Sequence, residues 1–200
     1  EIQDVGITTI TSGGNISSEG TTPVIARGVC WSTDHLPTVD LPTKTADGIG
    51  IGTYTSAVTG LAPGTTYYLR AYATNSSGTS YGDESSFTTY KTDAIQDADA
   101  NYYNIVTIGN QTWLAENLKT TLFNDGTSIT NVTDNNEWAT LSTPAYCWYN
   151  NDTLNKTEYG ALYNYHAVNT GKLCPTGWHV PSDHVWTVLT DYLGGEAVAG

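Results

Sequence analysis

The chain is poor in basic residues. Only seven of its 200 residues are Lys or Arg, against 20 Asp or Glu, and the net charge is -13 at pH 7. Nucleic acids and anionic membrane surfaces are bound through clustered basic side chains. The composition argues against both kinds of partner, so we expect no nucleic-acid interface.

Long apolar segments and methionine are also missing. No apolar run approaches the roughly 20 residues of a membrane span, so we expect no membrane insertion. Fourteen Tyr and six Trp supply the large apolar surface that a low aliphatic content withholds. Together with abundant Thr, Ser, Gly and Asn, they are typical of secreted β-rich domains. No signal peptide begins at Glu1, and we expect a mature chain or a fragment.

Cysteine is scarce, and its three copies cannot all pair internally. Cys30 lies in a strand-like run and is predicted to be a buried free thiol. Cys147 and Cys174 both lie in the second half of the chain. They are candidates for a disulfide with each other, and Cys174 is also a candidate for pairing beyond Gly200.

Short strand-like runs recur through the first ninety residues, separated by Gly, Pro, Asn and Ser. Strands are predicted at about 6–10, 12–18, 24–32, 52–59, 66–75 and 81–89. Residues 67, 69, 71 and 73 share one face of their strand, and so do 25, 29 and 31. Such alternation indicates a β-sandwich in which each sheet buries one face.

The most specific signal in this half is the sequence Gly-Leu-Ala-Pro-Gly-Thr-Thr-Tyr at residues 60–67. A Leu, a Pro-Gly turn and a Tyr that opens the next strand resemble the fibronectin type III family, and the resemblance continues through 67–75 and 86–89. It implies an immunoglobulin-like sandwich over residues 1–90, in which Tyr67 is the tyrosine corner and hydrogen bonds back across the crossover. Such modules space or present other domains.

Beyond a short polar junction at residues 91–96 the composition changes, and five of the six Trp lie between Trp113 and Trp186. Residues 97–114 predict a turn, a strand, a Gly-Asn turn and a second strand. Residues 134–141 predict a short capped helix, and residues 160–168 predict a short buried helix.

Two prolines bracket the segment that organises this half. Pro175 and Pro181 hold the backbone extended up to Ser182, which is a good N-cap. Five apolar residues then fall on one helical face: Val185, Trp186, Leu189, Tyr192 and Leu193. We therefore predict an extended entry anchored by Cys174, a buried Trp178, and a helix that packs on a core.

Four motifs occur in order, at residues 108–121, 146–152, 159–164 and 174–181. Together they resemble the Fibrobacter succinogenes major paralogous domain, which occurs on secreted and surface proteins of Bacteroidetes-type bacteria. The resemblance spans residues 97–200 and implies a C-type-lectin-like α+β fold. Family members continue to a final Cys, so it also implies a domain truncated at Gly200 and favours that absent Cys as the partner of Cys174.

Asp97, Asp99 and Asn101 have the spacing of a calcium loop, in which alternate side-chain oxygens face one ion. The sixth position of such a loop needs a glycine and here is Tyr102, and the twelfth needs a bidentate carboxylate and here is Ile108. A polar turn is the favoured interpretation. Calcium is a weak candidate, and no other cofactor is expected.

No catalytic constellation is present in the sequence. His166, His179 and His184 lack the spacing of a zinc site, and there is no Cys-x-x-Cys pair and no Gly-x-Ser-x-Gly elbow. Carboxylates such as Asp83 and Glu84 are interpreted as solvated loop charges. We expect the protein not to be an enzyme.

Aromatic residues that lie among Asn and Asp are the best remaining candidates for binding. Sugars are bound by aromatic faces, on which their C–H groups stack, and by planar amides and carboxylates that pair with hydroxyls. The predicted ligand site comprises Trp138, Trp148, Tyr149, Asn150, Asn151 and Asp152, and Tyr159 and Tyr163 lie in similar surroundings. The alternative is that Trp138 and Trp148 fill the core.

These observations predict a mainly β chain with two extracellular domains. They are a fibronectin-III-like sandwich at residues 1–90 and a C-type-lectin-like domain at residues 97–200, joined by a linker at 91–96. The leading hypothesis is a non-catalytic secreted or cell-surface protein for adhesion or for recognition of a glycan or protein ligand. The alternative is a structural subunit of an extracellular appendage or filament, in which copies of the chain contact one another.

Overall fold

Residues 1–199 are described by the computed structural model. The chain divides after Thr92 into unit 1, Glu1–Thr92, and unit 2, Asp93–Gly200. Strands predominate over helices, so the chain is mainly β. No helix in the described part of the chain combines the length and the apolar character that crossing a bilayer requires.

Unit 1 consists of strands in two sheets. They are β1 (Ile10–Ile16), β2 (Ala26–Ser32), β3 (Gly52–Val58), β4 (Thr66–Asn75), β5 (Gly78–Tyr81) and β6 (Ser85–Thr88). β1 pairs antiparallel with β3, whereas β4 pairs with β2 and, at its two ends, with β5 and β6. Residues 43–48 run along the other edge of β2, where the Thr45 N–H donates to Val29 O at 2.8 Å.

One apolar cluster joins the two sheets of unit 1. Its buried members come from both sheets and from the loop after β3: Ile10, Val29, Val58, Leu61, Leu69 and Phe87. Burial of each such side chain contributes about 1.5–3 kcal/mol to stability. Because both sheets turn one face to this shared core, unit 1 is a β-sandwich, and the sandwich predicted from the alternation is confirmed.

Two strand predictions for unit 1 are wrong in detail. The Gly6 N–H donates to Thr9 O at 2.8 Å and closes a turn, so one strand, β1, replaces the two predicted at 6–10 and 12–18. The predicted strand 81–89 is divided into β5 and β6. Glu84 leaves the ladder between them, because its carboxylate hydrogen bonds with His35 and accepts the Leu36 N–H.

Tyr67 links β4 to the preceding crossover. Its hydroxyl accepts a hydrogen bond from the Ala62 N–H at 3.0 Å, and its ring centroid lies 5.6 Å from that of Phe87. This is the hydrogen bond across the crossover that the fibronectin type III resemblance implies for this tyrosine.

Unit 2 is built from short strands and helices. The strands are β7 (Ile95–Gln96), β8 (Tyr102–Tyr103), β9 (Ile105–Ile108), β10 (Gln111–Leu114), β11 (Thr130–Asn131), β12 (Ala145–Trp148) and β13 (Ala161–Tyr163). The helices are α1 (Asn135–Thr140), α2 (Lys156–Tyr159), α3 (Tyr165–Val168), α4 (Asp183–Tyr192) and α5 (Glu196–Ala199). β12 lies between β11 and β13, and β9–β10 and β7–β8 are antiparallel pairs.

Two local predictions for unit 2 fit the structure. β9 and β10 form the predicted hairpin around Gly109, whose φ of 61° lies in the left-handed region that a two-residue turn requires. The predicted helix at 134–141 is α1, and the Asp134 side chain caps it by accepting the N–H groups of Asn136 and Glu137. The predicted linker needs correction, because β7 lies within residues 91–96 and pairs with β8.

The buried helix predicted over residues 160–168 is wrong, since this segment contains β13 and α3. Asn164 separates the two elements. Its Oδ1 accepts the N–H groups of Ala145 at 3.1 Å and Ala167 at 2.9 Å, and its Nδ2 donates to Thr143 O at 2.8 Å. One side chain therefore caps α3 and fixes the start of β12.

Helix α4 packs less deeply than the sequence predicts. Ser182 has N-cap backbone angles, but its side chain makes no capping hydrogen bond, and no residue of α4 is buried. Trp178 is half-buried rather than buried. Its backbone N–H donates to Pro175 O at 2.9 Å and closes a turn. Trp186 contacts Trp113 on one side, with ring centroids 4.9 Å apart, and stays 49% exposed.

Candidate functional site

The loop after β12 presents the predicted polar site residues. Tyr149 follows the strand, and Asn150 and Asn151 come next, both with a φ of 54°, in the left-handed region. Asn reaches that region at lower cost than other residues with a side chain, because its short amide hydrogen bonds locally. The two asparagines thereby form a turn that carries the chain from the buried strand to the surface.

Two tyrosine side chains lie together beside this turn. The ring centroids of Tyr149 and Tyr159 are 5.0 Å apart, with 49° between their planes. Tyr149 is 47% exposed and Tyr159 is 45% exposed, so both rings leave about half of their surface open to a ligand. We call Tyr149, Tyr159 and residues 150–152 the tyrosine surface.

Hydrogen bonds orient the polar groups of the tyrosine surface. Asn151 Nδ2 donates to Thr133 O at 2.9 Å, and Asn155 Nδ2 donates to Tyr149 O at 2.9 Å. Asp152 Oδ1 accepts the Leu154 N–H at 2.9 Å. The amide oxygen of Asn151 and the second carboxylate oxygen of Asp152 accept no hydrogen bond from the described residues, so both can accept a hydroxyl.

The hydroxyl of Tyr159 is held as a neutral donor. A hydrogen bond with the Glu158 carboxylate raises the pKa of Tyr159 above its usual value of 10.0. A phenol with a raised pKa keeps its proton at neutral pH. The arrangement therefore combines apolar ring faces, an O–H group, amides and carboxylates, which is a set suited to binding and contains no activated nucleophile.

Trp148 is placed in the core, and its predicted ligand role needs correction. It is 6% exposed and clusters with other buried side chains of unit 2: Phe123, Ile129, Tyr146 and Leu173. Tyr146 and Trp148 lie on the same face of β12, and that face packs on this cluster, so both rings fill the interior. Trp138 is half-buried on α1, and Tyr163 is half-buried with its hydroxyl donating to Thr120 O at 2.7 Å.

The candidate calcium residues are engaged by protein donors. Asp97 Oδ1 accepts the N–H groups of Asp99 and Asn101, each at 2.9 Å, and its Oδ2 accepts the Tyr103 hydroxyl at 2.6 Å. Asp99 Oδ2 accepts the Thr120 hydroxyl at 3.1 Å.

Burial and the hydrogen bond to Asp97 raise the pKa of Tyr103, so the polar turn anchors a buried phenol. In residues 1–199 no three His, Cys, Asp or Glu converge as metal ligands.

All three cysteines are free thiols. Cys30 is buried as predicted, and burial raises its pKa. The predicted pairing of Cys147 with Cys174 is wrong. Tyr146 and Trp148 face the core cluster that contains Leu173, and successive side chains of a strand point to opposite faces, so Cys147 points away from it.

Comparison with known families supports the domain composition of the chain. Residues 106–199 match the family described as the Fibrobacter succinogenes major domain. The match falls within unit 2. It includes all four motifs that resemble this family in the sequence, at residues 108–121, 146–152, 159–164 and 174–181. Unit 1, the β-sandwich, precedes it in the chain. No curated protein matches the chain in sequence.

Several solved structures are similar to part of the chain. A redesigned β-sandwich protein has 20% identity and a TM-score of 0.33, covering 46% of this chain and 87% of its own. The fibronectin type III domain of human fibronectin type III domain containing protein 3 has 24% identity and a TM-score of 0.29, covering 46% and 81%. The fibronectin type III domain from human KIAA0970 protein has 14% identity and a TM-score of 0.34, covering 54% and 80%. These TM-scores are low, and the sandwich assignment rests on the strand pairing and shared core of unit 1.

Proposed function

We propose that the chain is a non-catalytic, secreted or cell-surface protein that recognises carbohydrate through the tyrosine surface of unit 2. The observation that carries this proposal is the pair of half-exposed rings of Tyr149 and Tyr159, 5.0 Å apart beside a turn of two asparagines and an aspartate. Apolar faces of sugar rings stack on aromatic rings, while amides and carboxylates accept their hydroxyls.

In this proposal unit 1 serves as a spacer that presents unit 2. A β-sandwich with a continuous core is stiff enough for that role. A C-type-lectin-like fold for unit 2 and an origin in Bacteroidetes-type bacteria belong to the same proposal. The scarcity of Lys and Arg and the abundance of Tyr, Trp and Asn support an extracellular location. Neither nucleic acid nor a membrane is a proposed partner.

A glycan array followed by titration calorimetry tests the proposal. We expect one or more glycans to bind the wild type, and Tyr149→Ala and Tyr159→Ala to weaken binding about tenfold each, since a lost aromatic contact costs about 1.4 kcal/mol. Tyr165→Ala is the matched control, because Tyr165 is a 71% exposed tyrosine on α3, away from the tyrosine surface. Absence of glycan binding by the wild type, or equal binding by all three variants, rejects the proposal.

A structural subunit of an extracellular appendage is the second candidate. It is favoured by the apolar side chains that the end of the chain leaves exposed, Tyr192 at 66% and Val198 at 71%. Copies of the chain that bury these residues against each other would polymerise. Light scattering and negative-stain microscopy separate the two candidates, because only the appendage subunit forms filaments at micromolar concentration.

A further inference from the structure

A large apolar groove lies in unit 2, and Tyr159 of the tyrosine surface is one of the residues that line it. It has a volume of about 880 Å³ and is walled by β10, β13, the proline-bounded segment and the first turn of α4. The indole rings of Trp113, Trp178 and Trp186 line it, together with Leu118 and Leu173. A volume of this size accommodates a short peptide.

One wall of the groove is an open strand edge. The Ala115 N–H donates to Asn104 O at 2.8 Å, which marks these two residues as a hydrogen-bonded pair of the β9–β10 ladder. Hydrogen-bonded pairs alternate with non-bonded pairs in an antiparallel ladder. Thr112 and Leu114 are in non-bonded pairs, opposite Thr107 and Ile105, so their backbone N–H and C=O groups point away from β9. Both residues line the groove.

The same wall contains two buried polar atoms without a partner in residues 1–199. They are Gln111 Oε1 and Trp113 Nε1. Gln111 Nε2 donates to Val185 O at 3.0 Å, so only the acceptor half of this amide is unused. Buried polar atoms without partners are rare in folded proteins. The side chains of both residues line the groove, so this wall has unused hydrogen-bonding capacity.

The charge around the groove restricts what enters it. None of the residues that line the groove is Lys or Arg, while Glu116 lines it. Glu158, next to Tyr159, and Asp183, in the first turn of α4, are exposed. A second copy of the chain carries the same net charge of -13, so it lacks the charge complementarity that a basic segment has. A segment with basic residues at its ends is attracted.

We propose that this groove binds an extended peptide segment of another protein, which adds to β10 as a further strand. The segment has apolar side chains at alternate positions, which pack on Trp113 and Trp186, and Lys or Arg at its ends. Its backbone pairs with Thr112 and Leu114. Main-chain hydrogen bonds give such strand addition its affinity, and the alternate side chains give it specificity.

Fluorescence anisotropy with a labelled peptide, Lys-Lys-Val-Thr-Val-Thr-Val-Lys-Lys, tests the proposal on the full chain. We expect saturable binding that weakens with added salt, because the flanking lysines face an acidic rim. A peptide with Glu in place of every Lys should bind at least about tenfold more weakly. A peptide with alternate N-methylated residues keeps the side chains but lacks the pairing N–H groups, and should not bind.

Thr112→Pro and Thr107→Pro form a matched pair of variants. The two threonines lie directly opposite each other, and each N–H points away from the β9–β10 ladder, but only Thr112 lines the groove. Thr112→Pro should weaken peptide binding at least about tenfold, whereas Thr107→Pro should bind as the wild type does. If either variant fails to fold, binding of the N-methylated peptide to the wild type shows whether the peptide backbone pairs with β10.

Three results overturn the proposal. They are no binding of the lysine-flanked peptide, equal binding of its N-methylated form, and dimers in light scattering that exclude the peptide, which would make a second copy the occupant. Tyr159 belongs to both sites, whereas Tyr149 does not line the groove. Tyr149→Ala should therefore weaken glycan binding and leave peptide binding unchanged, which separates the failure of one proposal from the failure of the other.

Discussion

The ring of Trp148 meets the ring of Tyr146 edge-on, with 5.2 Å between their centroids and 72° between their planes. We predict that Trp148→Ala destabilises unit 2 by about 3–5 kcal/mol, the usual cost of removing a buried indole. Urea unfolding followed by circular dichroism measures this change. Tyr165→Ala, at a 71% exposed tyrosine, should change stability by less than about 0.5 kcal/mol. Similar losses for both variants would show that Trp148 is not a core residue.

The hydroxyl of Tyr67 gives a second prediction. Tyr67→Phe removes the acceptor of the Ala62 N–H and should cost about 0.5–1.5 kcal/mol. Tyr68→Phe is the control, because the Tyr68 hydroxyl makes no hydrogen bond within residues 1–199 while its ring lies against His35. Chemical unfolding of both variants checks the difference. An equal loss in both would contradict a role for the crossover hydrogen bond.

Two glycines with almost the same φ should respond differently to a methyl group. Gly160 has a φ of 68°, and an added Cβ would lie 2.6 Å from Leu118 O. Gly171 has a φ of 67°, and an added Cβ would meet nothing within 4 Å. We expect Gly171→Ala to cost about 1–2 kcal/mol from the left-handed backbone alone. Gly160→Ala should cost clearly more, because the added Cβ would clash and because a ψ of -158° places Gly160 in a region essentially restricted to glycine. Thermal unfolding of the pair measures the combined contribution of the clash and the backbone strain.

The carboxylate of Glu84 predicts a pH dependence for unit 1. Hydrogen bonds from the Leu36 N–H and from His35 hold the pKa of Glu84 below its usual value of 4.5. The contribution to stability is therefore fully present above that pH and is lost as the pH falls through the lowered pKa. Thermal midpoints between pH 7 and pH 3 should fall less steeply for Glu84→Gln than for the wild type. Equally steep profiles for the variant and the wild type would contradict a role for these two hydrogen bonds.

Periodicity and turn chemistry predict the local structure of this chain well. Alternation in 24–32 and 66–75 corresponds to β2 and β4, and Gly109 and Asp134 correspond to a hairpin turn and a helix cap. These signals are local, because they depend on backbone angles and on hydrogen bonds between residues close in sequence. The strand boundary near Glu84 is not local, since a contact with His35 sets it. The turn from Gly6 to Thr9 is local, but the alternation of apolar residues does not reveal it.

The ligand site could be predicted only in part. Asn150, Asn151, Asp152 and Tyr149 are exposed, but Trp148 is buried although it has the same neighbours in sequence. Burial at Trp148 depends on Phe123, Ile129 and Leu173, which pack against it from other parts of the chain. Tyr159 joins the site because α2 folds back towards the turn, and periodicity carries no signal for that approach.

The three hydrogen bonds of the Asn164 amide have a consequence for chemical ageing of the protein. Deamidation would replace the Nδ2 donor with a second oxygen, which would repel the Thr143 carbonyl at the position where a bond of 2.8 Å now lies. While β12 and α3 hold the amide in place, attack by the backbone is hindered. Storage lifetime should therefore follow the frequency with which this corner of the domain opens, and each damaged molecule would refold less readily than an intact one.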